Sequence, residues 1–206
     1  MHAYILLDRT GSMQSIWAEA LGSVNAYVKA LAEGDAFATL AVFDAHEGLQ
    51  FDVLRAGVPV QTWKDVTDAD ATPRGMTPLF DAIGRIIARA ESEAPEKAVL
   101  VIMTDGEENA SREMKKDDVK AALDRIEKKG WQVVFLGAEF AKFNDAVAVG
   151  LVGSKHMAMA AGSMNASMSR LAAKSRRYFD AGEKVDFDEE DRKQAGEADV
   201  QRRKGS

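Results

Sequence analysis

The chain has 206 residues, of which 46% are hydrophobic and 29% charged, and it carries a formal net charge of −6. This length suits one well-buried domain and is too short for two of ordinary size, and the composition is that of a folded globular protein. The negative charge argues against nucleic acid as a partner, because its phosphates would be repelled. The chain contains no cysteine, which excludes disulfides, thiolate metal sites and thiol nucleophiles.

The start of the chain leaves little room for a targeting segment. Strand-forming residues begin at Ala3. No apolar stretch approaches the roughly 20 residues that a membrane-spanning helix needs. We therefore expect no signal peptide, no membrane association and a cytoplasmic location.

The first part of the chain alternates between strand and helix patterns. The apolar run at residues 3–7 predicts a buried strand, and apolar residues spaced three and four apart over residues 17–31 predict an amphipathic helix that ends near Gly34. The pattern of residues 36–43 predicts a second strand. After a short turn, residues 49–54 alternate enough to be its antiparallel hairpin partner.

The middle of the chain combines a long loop with a second helix and a central strand. Residues 57–76 are rich in Gly, Pro, Asp and Thr and predict a loop that ends by presenting Thr77. A helix is expected to begin at Pro78, a favoured residue at the first helical position. Residues 98–103 are apolar on both faces of the predicted strand, which is typical of a central parallel strand covered by helices.

The remaining elements complete an α/β pattern. We predict a helix over residues 119–126 that ends at Gly130, and further elements in the order strand, short helix, weaker strand and helix, at residues 131–137, 140–149, 155–160 and 163–179. Alternating strands and helices predict a doubly wound, mostly parallel sheet of about six strands, with one antiparallel edge strand and helices on both faces.

The C-terminal residues differ in character. The last 25 or so residues are dense in charges of both signs, and Val185, Phe187 and Val200 are their only sizeable apolar residues. We expect residues 1–180 to form the domain. Residues 181–206 are expected to form a charged C-terminal tail or an extension along the surface.

Oxygen-bearing side chains gather where predicted elements end. Asp8, Thr10 and Ser12 follow the first strand, Thr77 ends the long loop, and Asp105 follows the strand at residues 98–103. Sites in open α/β sheets form at the carboxyl ends of strands, where the strand order reverses, so neighbouring strands would bring these side chains together. Carboxylates and hydroxyls are hard donors suited to Mg²⁺. The alternative is that they only cap helices and bond to loops.

Three segments in order resemble the von Willebrand factor A (vWA) domain family, in its small stand-alone bacterial or phage-like form. Residues 7–13 (LDRTGSM) resemble the D-x-[ST]-x-S signature, residues 75–83 (GMTPLFDAI) the threonine loop, and residues 104–109 (TDGEEN) the aspartate segment. The resemblance implies a Rossmann-like fold and a metal ion-dependent adhesion site. Two departures from the family pattern are Thr10 in place of the commoner serine and Met76 where glycine is frequent.

The resemblance also implies ligands, a cofactor and a partner. The implied ligands of Mg²⁺, or of Mn²⁺ or Ca²⁺, are Asp8, Thr10, Ser12, Thr77 and Asp105. The implied activity is non-enzymatic protein–protein interaction, in which the cation accepts an Asp or Glu of a partner protein. No catalytic residue, organic cofactor, nucleic acid or membrane is expected, and the oligomeric state stays open.

Two alternatives remain for the function. The chain could be a structural or assembly component, for instance of a virion, with a metal that only staples loops. It could also be a Mg²⁺-dependent phosphohydrolase of the haloacid dehalogenase type. That chemistry requires a second carboxylate two residues after the first, where this chain has Thr10, so the phosphohydrolase is the less favoured alternative.

Other chemistry-bearing residues are expected to be structural. Asp81, Glu107 and Glu108 are interpreted as lying outside direct ligation. The three histidines are scattered without a spacing suited to zinc. Four methionines fall on one face of a strand or helix and predict core packing rather than a soft-metal site; they are Met157, Met159, Met164 and Met168.

Overall fold

The computed structural model describes residues 1–32, 35–138, 146–147 and 149–204. Six strands form one sheet in the order β3-β2-β1-β4-β5-β6. The β2–β3 pair is antiparallel and the other neighbouring pairs are parallel. The strands are β1 (His2–Asp8), β2 (Phe37–Ala45), β3 (Leu49–Pro59), β4 (Ala98–Thr104), β5 (Gln132–Ala138) and β6 (His156–Met159).

Helices cover both faces of the sheet. The α-helices are α1 (Trp17–Ala30), α2 (Leu79–Glu93), α3 (Lys116–Lys128), α4 (Met164–Ala181), α5 (Glu189–Gln194) and α6 (Glu197–Lys204). Short 3₁₀ helices occupy Gly11–Ser15, Val60–Thr62 and Gly153–Lys155. The predicted doubly wound, mostly parallel α/β fold is confirmed. None of the described helices combines the length and apolar character that crossing a membrane requires.

The central strands explain the two-sided core. Every residue of β1 and of β4 is buried. Successive side chains of a strand point to opposite faces, and Ile5 and Leu7 accordingly pack in the cluster with α1 and α4, while Tyr4 and Leu6 pack with α2 and α3. The four methionines of the predicted core are buried in the α1–α4 cluster. Their assignment to packing is confirmed.

One predicted element is longer in the structure, and another lies mostly outside the described residues. The hairpin strand β3 continues to Pro59 instead of ending at residue 54, with Val58 paired to Ala38. Register shifts around Leu40 mark a bulge, which breaks the alternation by which a strand is recognised in sequence. The helix predicted at residues 140–149 falls mostly outside the described residues.

The C-terminal segment packs against the sheet. Val185 and Phe187 are buried in the α1–α4 cluster. The Phe187 amide donates a 2.8 Å hydrogen bond to the Ser154 carbonyl. The sequence left open a charged tail or an extension along the surface, and these contacts correspond to the extension. A domain boundary at residue 180 stays a prediction.

Side chains of this extension lie along the edge strand β6. Glu197 is buried, and its carboxylate accepts hydrogen bonds from the Ala158 amide at 2.9 Å and from Arg192 at 2.7 Å. The Arg192 guanidinium also donates to the His156 carbonyl at 3.0 Å. An exposed sheet edge is a template for unwanted strand pairing. The extension therefore satisfies polar groups that β6 would otherwise present to another chain.

We expect Glu197→Ala to lower the free energy of unfolding by about 1–3 kcal/mol, because the buried Ala158 amide loses its acceptor. Urea unfolding followed by circular dichroism measures the change. Gln194→Ala is the control, since Gln194 is an exposed residue of the neighbouring helix α5; it should change stability by less than about 0.5 kcal/mol. Equal effects of the two substitutions would contradict a role for Glu197 at the edge.

Candidate metal centre

The predicted site residues meet at the carboxyl ends of β1 and β4. These strands are parallel neighbours, with Leu7 opposite Met103, and the strand order reverses between them. Asp105 accepts a hydrogen bond from the Ser12 hydroxyl at 2.7 Å, and the hydroxyl oxygens of Ser12 and Thr10 are 3.0 Å apart. The pairing of the two strands thus joins the first predicted segment to the third, across more than 90 residues of sequence.

Asp8 is held at the base of this cluster by hydrogen bonds. The residue is fully buried. One carboxylate oxygen accepts the Thr10 amide at 2.7 Å, and the other accepts the Thr104 hydroxyl at 2.5 Å. Burial raises the pKa of Asp8 to about 7 despite these bonds. Sequence reasoning missed Thr104, although its place directly before Asp105 at the end of β4 was a usable signal.

The Thr77 hydroxyl reaches the same place from the long loop. A Cβ atom built on Gly106 would lie 2.9 Å from the Thr77 hydroxyl oxygen and 3.8 Å from a carboxylate oxygen of Asp8. Both oxygens therefore approach one point above Gly106. Any side chain at Gly106 would push Thr77 away, so this close approach requires glycine.

Backbone hydrogen bonds hold the Thr77 loop. Met76 and Ala45 exchange two, at 2.9 and 3.2 Å, and the Gly11 amide donates to the Gly75 carbonyl at 3.3 Å. Gly75 has a φ of +73°, and a Cβ there would lie 2.4 Å from the Ala45 carbonyl oxygen. Only glycine fits this position. The loop is thereby tied to the end of β2 and to the turn after β1.

Polar side chains next to the motifs accept hydrogen bonds from backbone amides. Glu108 accepts the Phe80 amide at 2.8 Å, and the Asn109 side chain accepts the Thr77 amide at 2.9 Å. Asp81 is buried, and its carboxylate receives three amides at 2.7–3.0 Å, those of Arg112, Glu113 and Met114. These side chains join residues 108–114 to the start of α2. Glu107 is exposed.

Arg9 lies inside the first motif but is bonded away from the cluster, which the sequence did not reveal. Its guanidinium donates to Asp44 and to Asp52, each at 2.6 Å. Arg74 donates to the second oxygen of Asp44 at 3.2 Å. Asp44 is fully buried. The cationic groups nearest in sequence to the cluster are therefore engaged by Asp44 and Asp52 and do not neutralise Asp8.

The cluster has the donor set of a hard-cation site. Asp8 and Asp105 are both buried, burial raises both pKa values, and neither forms an ion pair within the described part of the chain. Nowhere in the described part of the chain do three or more His, Cys, Asp or Glu side chains come together in a group that could hold a metal. Two carboxylates and three hydroxyls remain, a set of hard oxygens that fits Mg²⁺, Mn²⁺ or Ca²⁺.

We expect Asp44→Ala to lower the free energy of unfolding by about 3 kcal/mol, because the buried Arg9 guanidinium loses its main partner. Thermal or urea unfolding measures this loss. Asp52→Ala is the matched control: Asp52 bonds to the same guanidinium, but its side chain is 53% exposed, so the loss should stay below about 1 kcal/mol. A larger loss for Asp52→Ala would contradict the role given to Asp44.

No protein-family model and no curated protein matches this sequence. Solved structures do match its fold. The manganese-loaded TRAP protein of Plasmodium vivax aligns with a TM-score of 0.55 at 15% identity, over 81% of this chain and 70% of its own. The mussel byssus proximal thread matrix protein 1, with a zinc-occupied MIDAS motif, aligns with a TM-score of 0.55 at 16% identity, over 84% of this chain and 46% of its own.

A third match carries the family name. The von Willebrand factor type A protein of Catenulispora acidiphila aligns with a TM-score of 0.50 at 16% identity, over 84% of this chain and 42% of its own. This chain thus spans less than half the length of two of the three proteins. At such identities the similarity concerns the fold and not the residues of the site. The chain has the fold of a von Willebrand factor A domain.

Proposed function

We propose that this chain is a non-enzymatic protein-recognition module. In this proposal Asp8, Thr10, Ser12, Thr77 and Asp105 hold a divalent cation, Mg²⁺ in the first instance, and the cation binds an Asp or Glu side chain of a partner protein. The observation that carries the proposal is the pair of buried carboxylates, Asp8 and Asp105, which lie among three hydroxyls and form no ion pair within the described residues. A buried carboxylate is stabilised either by a proton or by a compensating cation, and the convergence of further hard oxygens favours the cation.

The hydrogen bonds suit each residue to its proposed role. Thr104 and the Thr10 amide orient the Asp8 carboxylate, and Asn109 and Ala45 hold the loop that carries Thr77. A hard cation bound there supplies an electrophilic position for a carboxylate oxygen. Within the described residues the cluster contains two carboxylates, which balance a divalent charge without exceeding it. A third carboxylate, from a partner, would therefore not be repelled.

The cation is also supported by the matched structures. One of them is loaded with manganese, and another has zinc in its MIDAS motif. Against an enzyme of the haloacid dehalogenase type, the position that should carry an acid/base carboxylate is Thr10, whose hydroxyl bonds to Ser12. We therefore place the chain among binding modules and assign it no catalytic residue.

We expect Mg²⁺ or Mn²⁺ to raise the melting temperature, with a stabilisation of about 2.7 kcal/mol at a hundredfold excess over the dissociation constant. Asp105→Asn should abolish this response. Because the substitution removes a buried charge, the metal-free variant should be at least as stable as the metal-free wild type. Differential scanning fluorimetry with and without EDTA measures both effects.

The matched control for this test is Asp81→Asn. Asp81 is a buried carboxylate near the cluster whose bonds go to loop amides. This variant should be less stable than wild type and yet retain the Mg²⁺ response. A wild-type melting temperature that neither Mg²⁺ nor Mn²⁺ changes would overturn the proposed function.

The assembly alternative makes a different prediction. If the metal only staples loops, a partner interface should survive removal of the metal. A pull-down from native lysate, with and without EDTA, separates the two. Partners retained equally in EDTA would favour the assembly role over metal-mediated recognition.

A further inference from the structure

A small cavity opens beside the Thr77 loop. Its volume is about 220 Å³, and its walls include Ala45 and Glu47 near the β2–β3 turn, Met76 of the loop, and Asn109, Ala110 and Arg112 of the segment before α3. We call it the Met76 cavity. Pockets for drug-sized ligands measure about 300–1,000 Å³. The Met76 cavity is therefore suited to one side chain of a larger partner.

Met76 supplies the apolar surface of this cavity. Its side chain is 56% exposed, which makes it one of the few large hydrophobic residues exposed in the described chain. The two backbone hydrogen bonds to Ala45 hold the main chain of Met76 at the end of β2. Methionine is flexible and polarisable and packs against apolar groups of varied shape. The fold thus presents an apolar contact point to solvent.

Arg112 supplies an unused positive charge. The residue is exposed, and its amide is fixed by Asp81 at 2.8 Å, whereas its guanidinium forms no ion pair within the described residues. The neighbouring Glu113 pairs instead with Arg85, at 3.2 Å. A carboxylate of a partner can meet this guanidinium without displacing an existing partner. The segment near the β2–β3 turn carries the opposite charge, on Glu47, and disfavours an acidic group on its side of the cavity.

The cavity and the candidate metal centre share a wall. Met76 directly precedes Thr77, and Asn109, which lines the cavity, exchanges two hydrogen bonds with Thr77, at 2.9 and 3.1 Å. A partner segment whose carboxylate reaches the cluster at Thr77 can therefore place a neighbouring side chain in the cavity.

We propose that the partner is an acidic peptide segment with three features. One Asp or Glu reaches the metal, an apolar side chain within a few residues of it packs on Met76, and a second carboxylate pairs with Arg112. This inference rests on the proposed function. It adds the partner's chemistry, which charge complementarity and the exposed Met76 specify.

The test is a selection of random displayed peptides on the full chain in Mg²⁺, with elution by EDTA. The eluted sequences should combine an Asp or Glu with a nearby apolar residue and a second acidic residue. A synthetic peptide of the selected sequence is then titrated against wild type and variants by fluorescence polarisation. Met76→Ser should weaken binding about tenfold, whereas Met76→Leu should stay within about twofold of wild type.

Two arginine variants test the second carboxylate. Arg112→Gln should weaken binding about fivefold, and only for peptides that carry the second acidic residue. Arg85→Gln makes the same charge change at an exposed site already paired to Glu113 and should leave binding unchanged. An unchanged Mg²⁺ response in melting experiments verifies that each variant keeps its fold and its metal centre.

The outcomes separate this inference from the function on which it rests. Acidic peptides eluted by EDTA without any apolar preference, or equal binding by wild type and Met76→Ser, would overturn the inference and leave the proposed function standing. Failure of EDTA to elute any acidic peptide would overturn both.

Discussion

The parallel pairing of β1 with β4 places two buried carboxylates side by side, and much of the surrounding structure depends on this pairing. Asp8 ends β1 and Asp105 directly follows β4, so the register of the two strands determines their approach. Burial disfavours the charged form of each group. The Thr10 amide and the hydroxyls of Ser12 and Thr104 orient the carboxylates but supply no positive charge. In the proposed function a divalent cation balances these carboxylates.

The same end of the sheet contains a further buried acid, and the charge of this one is compensated. Asp44, at the end of β2, receives Arg9 and Arg74. The contrast between Asp44 and Asp8 is informative, because the two fully buried carboxylates are both delivered by neighbouring strands. The fold places two guanidinium groups at Asp44 and none of the described ones at Asp8. This difference distinguishes a structural ion pair from a site open to a ligand.

Rigid support surrounds this open site. Asp81, Glu108 and Asn109 join the segment before α3 to the start of α2 and to the Thr77 loop. Gly75 and Gly106 permit approaches that any side chain would block. Met76 differs from these residues, because its side chain is exposed to solvent next to Thr77. A supported site with one exposed apolar residue at its rim suits the proposed recognition of another protein.

Several features could be predicted from the sequence because their signals are local. The apolar runs of β1 and β4, the helical spacing of α1 and α2, and the order of the three motif segments all follow from neighbouring residues, and together they predicted the fold and the meeting of Asp8 with Asp105. Metal ligation by these residues stays a prediction. Tertiary structure alone decided that Arg9 bonds to Asp44, that β3 continues to Pro59, that Glu197 satisfies β6 and that Met76 is exposed. Each of these depends on a partner distant in sequence or on a bulge that interrupts periodicity, and no local pattern carries that information.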